Sequence, residues 1–148
     1  MYAELLLGVI HISAFLGLVV FLSSQITLCR ASWWDATIVP RLLRLSYFYW
    51  GSVLAVLLSG LARAAFGVKT WDFYSTQPVF WLKLLAFIAI SLMSLKVQKA
   101  YGRWQMNPSH CPDDLDAMRR RMMVQAHVIM LLPILGLMMA YGVLPFSK

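Results

Sequence analysis

Acidic residues are scarce in this chain: six Asp and Glu stand against thirteen Lys and Arg in 148 residues. None of the six (Glu4, Asp35, Asp72, Asp113, Asp114 and Asp116) lies inside a long apolar run. A proton or ion path through a membrane is expected to carry acids inside the spans, and this chain has none there. Charged residues of both signs make up only 13% of the sequence, where a soluble domain carries about 25%. There are two cysteines, far apart at Cys29 and Cys111. Both fall in loops that the charge distribution makes cytoplasmic, where thiols stay reduced, and without close spacing they make no thiolate metal motif; His110 beside Cys111, with Cys29, is at most a partial donor set. No Ser/His/Asp set can be assembled from the apolar runs, which argues against a hydrolase. Repeats and low-complexity segments are also missing.

What fills the sequence is apolar: 61% hydrophobic residues, 14% aromatic. A globule this small cannot hide that fraction from water, so lipid must cover it. Leu5–Leu28 and Leu45–Ala62 contain no charge, Phe73–Leu95 contains only Lys83, and Met122–Ser147 contains none. A helix needs about 20 apolar residues to cross a bilayer core, and a helix satisfies its own backbone groups in lipid. The expected fold is all-α, a four-helix transmembrane bundle forming a single domain over 1–148, with spans at about 4–28, 44–66, 77–97 and 118–143. The first run is too long for a signal-peptide core and is preceded by Glu4 rather than by a basic segment, so it reads as a retained helix.

The net charge of +7 is distributed by topology. If the chain crosses four times, Arg30, Arg41, Arg44, Lys96, Lys99, Arg103, Arg119, Arg120 and Arg121 share one side. The positive-inside rule makes that side the cytoplasm and puts both termini outside. Anionic lipid heads account for the basic charge, with no nucleic acid required. Trp33-Trp34-Asp35 reads as an interfacial anchor, with Pro40 ahead of the second helix. Gly67 to Gln77 reads as an aromatic-rich loop. In the longest polar loop, Asn107-Pro108 and Cys111-Pro112 are turn signals, and Asp113-Asp114 open the last helix. Pro133 should kink that helix. Gly8 and Gly17 in the first span, and Gly51, Ser52, Ser59 and Gly60 in the second, allow close helix approach. A homo-oligomer or membership of a larger membrane complex is expected.

Few polar groups lie at membrane depth. With termini outside, His11 is ~9–12 Å and Lys83 ~8 Å from the outer face, at 1.5 Å per residue. Arg63 closes the second span on that side, and Lys69 follows in the loop. Four cationic or ionisable groups thus gather in the outer half. His127 lies deeper, ~20 Å from the outer face and ~10 Å from the depth of His11. One haem between the two histidines would need a tilted ring; two separate sites, or one site with a weaker ligand such as Met130, fit as well. The plainer roles are a hydrogen bond across helices for His11 or His127, snorkelling for Lys83, and a lipid-head anchor for Arg63. A cationic pocket holding a histidine suits an amphipathic anion. A porphyrin is the natural example, with iron on the histidine and propionates on Arg or Lys.

The run Gly60-Leu61-Ala62-Arg63, Lys69, Phe73-Tyr74 and Pro78-Val79-Phe80-Trp81-Leu82-Lys83-Leu84, then Arg103-Trp104, Arg119-Arg120-Arg121 and Met138-Met139-Ala140-Tyr141-Gly142, with the early His11, resembles an uncharacterised family of small bacterial four-span membrane proteins. More distantly the chain is similar to HemJ-type protoporphyrinogen oxidases and to the CopD membrane domain, which place a histidine early in span 1 and a lysine early in a later span. That resemblance implies a b-type haem at His11 and Lys83. It departs at Ser23-Ser24-Gln25, where the HemJ type has an arginine, and at Val124-Gln125, where it has Asn-Glu. The function expected is binding of haem b or a porphyrin in the outer half, with a redox role in electron transfer or porphyrinogen oxidation. His11, Lys83, Arg63, Lys69 and His127 would be the binding residues, His11 and His127 the metal ligands. The alternative is a non-enzymatic accessory or assembly subunit.

Overall fold

The computed structural model describes residues 2–67 and 71–141, and among these every regular element is a helix. Helix α1 spans Tyr2–Leu28, α2 Ile38–Phe66, the short α3 Trp71–Ser75, α4 Pro78–Trp104 and α5 Leu115–Tyr141, with a 3₁₀ turn at Ala31–Trp33. Four of them, α1, α2, α4 and α5, are long and apolar enough to cross a membrane. Their outward surfaces are apolar as well: Leu6, Leu16, Leu54, Leu58, Leu85, Leu92, Leu131 and Leu137 are all exposed. That is the arrangement of a bundle whose outer surface is covered by lipid chains rather than water.

Each helix end has a local cause. The backbone N–H and the hydroxyl of Thr37 both donate to Asp35 Oδ1 at 2.6 Å, and Ile38 N–H donates to the Asp35 carbonyl at 3.1 Å. These Thr37 bonds hold the exposed Asp35 carboxyl below its ordinary pKa. Helix α2 therefore begins at Ile38, ahead of Pro40 rather than after it. Proline is tolerated there because first-turn N–H groups have no helical partner. At the other end Gly67 N–H caps the Arg63 carbonyl at 3.0 Å, and a Cβ on Gly67 would collide with that carbonyl. The segment expected to be a plain loop contains α3, which Trp81 ties to α4 by donating Nε1–H to the Ser75 carbonyl at 2.9 Å. Pro78 begins α4, where its fixed φ suits the first helical position. Helix α5 continues through Pro133.

The bundle is two antiparallel hairpins. Along the α1–α2 seam, Phe21 stacks on Phe48 at 5.4 Å, Gly17 faces the Ser52 hydroxyl, and His11 meets Ser59. Residue numbers in these pairs sum to 69 or 70, so one register holds over the whole seam. Helices α4 and α5 pair in the same way from Trp104–Asp114 at one end to Lys83–Gly136 at the other. The hairpins join through α1 against α5 and α2 against α4. Leu18, Leu22, Leu42, Tyr49, Tyr101, Met122 and Ile129 form the central core.

Candidate functional site

The His11 ring lies in the α1–α2 seam because position 60 has no side chain. A Cβ on Gly60 would stand 3.2 Å from His11 Cε1, so any larger residue would press on the ring. One residue earlier, Ser59 Oγ is 2.9 Å from His11 Nδ1. A hydroxyl has a single proton, and Ser59 directs its own to the Ala55 carbonyl one turn back, at 2.5 Å. Ser59 Oγ is then the acceptor and His11 Nδ1–H the donor. That leaves the lone pair of the neutral ring on Nε2, the nitrogen then free to take a proton or a metal.

Arg63 is one helical turn beyond Ser59 on α2, and both it and Lys83 are half-buried. Lys83 projects from α4 across to α5, where its Nζ lies 3.3 Å from the place a Gly136 Cβ would occupy. A second glycine thus makes room for a second polar side chain at the same end of the bundle. Arg63 and Lys83 are both within electrostatic range of His11, and Arg63 within range of Lys83. Three helices therefore bring His11, Arg63 and Lys83 together. No acid pairs with them among the described residues, where the one ion pair is Arg103–Asp114 at the opposite end. Glu4 is seven residues before His11 on the same face of α1, ~10 Å along the axis. Lys69, expected to join the group, lies outside the described residues.

His127 is not part of this group. It is exposed on the outward surface of α5, and its Nδ1 lies 2.7 Å from the Met123 carbonyl of its own helix. The Lys83–Gly136 and Tyr49–Ser94 pairings put His127 level with the Val19 region of α1, eight residues or ~12 Å deeper than His11. A ring with His11 and His127 on its two faces does not fit this placement. Met130 is likewise exposed, at 59%. At the far end, Cys29 is fully buried, and burial pushes its thiol up to about 12. His110 is exposed and Cys111 half-buried. Among the described residues no three His, Cys, Asp or Glu side chains come together as metal ligands.

The sequence reading missed a second polar layer, in the half of the bundle near Cys29. Tyr101 donates its hydroxyl to Gln25 Oε1 at 2.9 Å, and Gln125 Nε2 donates to the Ile90 carbonyl and to Ser94 Oγ, each at 2.8 Å. Tyr49 and Ser94 share a 2.7 Å hydrogen bond, and Ser46 donates to Gln98 Oε1. None of these groups carries a charge, so none stands out in a hydropathy profile. The available signal was at least one uncharged polar residue in each span, all in the same half of the bundle.

Chemically the two layers differ. The inner layer is neutral and hydrogen-bonded; the His11 end offers two cations and an imidazole lone pair to whatever anionic or electron-pair-accepting group approaches. No curated protein and no solved structure matches the chain. Residues 3–144, nearly its full length, match the family described as Predicted membrane protein (DUF2214), and the chain belongs to that family of membrane proteins.

Proposed function

We propose that the protein binds an amphipathic anion at the His11 end of its bundle, with haem b as the form that uses every group there. Arg63 and Lys83 would pair with the carboxylates, and His11 Nε2 would hold the iron from one face. The observation behind this reading is the convergence of two half-buried cations on a histidine whose Nδ1–H is already spent on Ser59. The donor set suits a porphyrin with a single histidine ligand; His127 is too deep and faces away. Bound haem would supply a one-electron couple, and a role in electron transfer or porphyrinogen oxidation follows from that. The protein's own part would be to fix the imidazole tautomer through Ser59 and to hold the carboxylates with Arg63 and Lys83. The setting in this reading is a bacterial inner membrane; the basic residues collected at the Cys29 end support an orientation with both termini outside.

The test is an absorbance spectrum of the detergent-purified protein, oxidised and dithionite-reduced, after expression with a haem precursor. A Soret band that His11→Ala abolishes is expected. Arg63→Gln and Lys83→Gln should weaken haem uptake without moving the band. A wild-type protein with no Soret band, and no quenching of free-base porphyrin fluorescence on titration, would overturn the proposal.

One observation favours a second reading, a subunit of a homo-oligomer or larger complex. His127 points its ring out of an apolar helix face, flanked by exposed Val124, Met130, Leu131 and Ile134. An imidazole N–H or lone pair facing lipid is unsatisfied, and in membranes such groups hydrogen-bond across helix interfaces. Copurification of a stoichiometric partner, or an oligomer that His127→Leu dissociates, would support this reading; a monomer in mild detergent would count against it.

A further inference from the structure

Gln25 on α1 and Gln125 on α5 are 3% and 1% exposed, and each has one amide atom with no partner: Nε2 of Gln25 and Oε1 of Gln125. One orphan is a donor, the other an acceptor. Both residues line the same small cavity, together with Ser46, Tyr49, Trp50 and Ser94. The orientation of Gln125 is fixed by its surroundings. Its Nε2 faces the Ile90 carbonyl, an obligate acceptor, and turning the amide over would set two oxygens against each other. Gln25 Oε1 is likewise used, by the Tyr101 hydroxyl.

A buried polar atom without a partner is destabilising, and two of them, one donor and one acceptor on residues that line one cavity, call for a common occupant. The cavity has room for about one water molecule. We infer that a single water is bound in the bundle core, accepting from Gln25 Nε2–H and donating to Gln125 Oε1. Its second proton has acceptors at the same cavity in the Tyr49 and Ser46 oxygens. A buried water needs two to four polar partners, and this site supplies them from at least three helices. The water completes a hydrogen-bonded layer running Tyr101–Gln25–water–Gln125–Ser94–Tyr49, which ties α1, α2, α4 and α5 into one unit. No charge is involved, and the inference is independent of any ligand at the His11 end.

The experiment is solution NMR on the ¹⁵N-labelled full-length protein in detergent or nanodiscs, with the two side-chain amides assigned through Gln25→Leu and Gln125→Leu. The Gln25 Nε2 protons should exchange slowly with solvent yet show a cross-relaxation peak at the water frequency. Absence of that peak in the folded wild type, or a direct Gln25–Gln125 contact in its place, would overturn the inference. Thermal unfolding gives a second measure. Each single Leu variant should lower the midpoint by several degrees, and the double variant by clearly less than the sum, because one shared water is lost only once. Additive shifts would count against a shared water. Should a Leu variant fail to fold, Gln25→Asn and Gln125→Asn supply the assignments, and the wild-type spectrum decides.

Discussion

His11 Nδ1–H donates across the α1–α2 seam to Ser59 Oγ, whose own hydroxyl donates to the Ala55 carbonyl. The serine therefore sets which ring nitrogen is free. Ser59→Ala removes the acceptor and releases the tautomer. The expected loss of stability is about 1 kcal/mol, in line with interhelical hydrogen bonds in membranes. The larger effect should be on the site: weaker haem or porphyrin uptake, with His11 itself intact. Parallel measurement of thermal midpoint and porphyrin affinity separates the two, and an affinity unchanged within twofold would show that Ser59 does not position the ring.

The two glycines of the site should respond differently to the same substitution. Gly60→Ala places a Cβ 3.2 Å from the His11 ring, a rigid neighbour held by Ser59, so the ring or the α1–α2 spacing must shift. Gly136→Ala places a Cβ 3.3 Å from Lys83 Nζ, the free end of a flexible chain that can swing aside. Gly60→Ala should therefore impair ligand binding at least several-fold more than Gly136→Ala. Equal effects would mean that Lys83 is held as tightly as the ring.

Asp114 accepts from two groups, the Arg103 guanidinium at 2.5 Å and the Trp104 indole N–H at 2.8 Å. Arg103 is 61% exposed, so its ion pair is screened by solvent and contributes at most ~1 kcal/mol. Trp104 is buried, and its N–H depends on this acceptor. Asp114→Asn keeps an oxygen for Trp104 and should cost less than ~1 kcal/mol. Asp114→Ala orphans the indole and should cost ~1–3 kcal/mol. Thermal denaturation at low and high salt tests both: salt should shrink the difference between wild type and Asp114→Asn and leave the difference between Asp114→Asn and Asp114→Ala unchanged.

The two cysteines predict a labelling pattern. The Cys29 thiol, ordinarily near 9.0, is pushed up to about 12 by burial and stays protonated in the folded protein across the neutral and mildly alkaline range. Cys111 is half-buried in the polar loop. A maleimide at pH 8 should modify Cys111 in the native protein and reach Cys29 only on unfolding. In intact spheroplasts an impermeant maleimide should spare Cys111 if that loop is cytoplasmic. The sign of the pH effect follows. Below pH 9 the thiol is neutral folded and unfolded alike, and its contribution to stability is fully present. As pH rises from 9 towards 12 the unfolded chain ionises first, and stability falls. Cys29→Ala should flatten that part of the stability profile.

The four-helix architecture was legible because lipid imposes a simple rule: long uncharged runs stay helical. The gathering of His11, Arg63 and Lys83 was legible too, since helix direction and rise per residue fix depth. What depth does not fix is facing. His127 and His11 look alike in the sequence, yet one ring is held in a seam by Gly60 and the other points outward from α5. Helix ends were also hidden, because the amphipathic first turns of α2, with Arg41 and Arg44, fall below the apolar threshold while Asp35 and Thr37 begin the helix. The neutral layer of Gln25, Ser46, Tyr49, Ser94, Tyr101 and Gln125 escaped notice for a different reason. Its members matter through whom they bond to, and pairing between distant spans is not written in any local pattern.

The hairpin pairing has a consequence for biogenesis. His11, Ser59, Gly60 and Arg63 all belong to the first two helices, so a nascent chain that has delivered only α1 and α2 to the bilayer already holds most of the His11 end. The neutral layer cannot form at that stage: the bonds of Gln25, Ser46 and Tyr49 all reach residues of α4. Until the second hairpin arrives, those side chains wait in lipid without partners. Their pairing therefore adds a directional attraction between the later hairpin and the earlier one, on top of apolar packing.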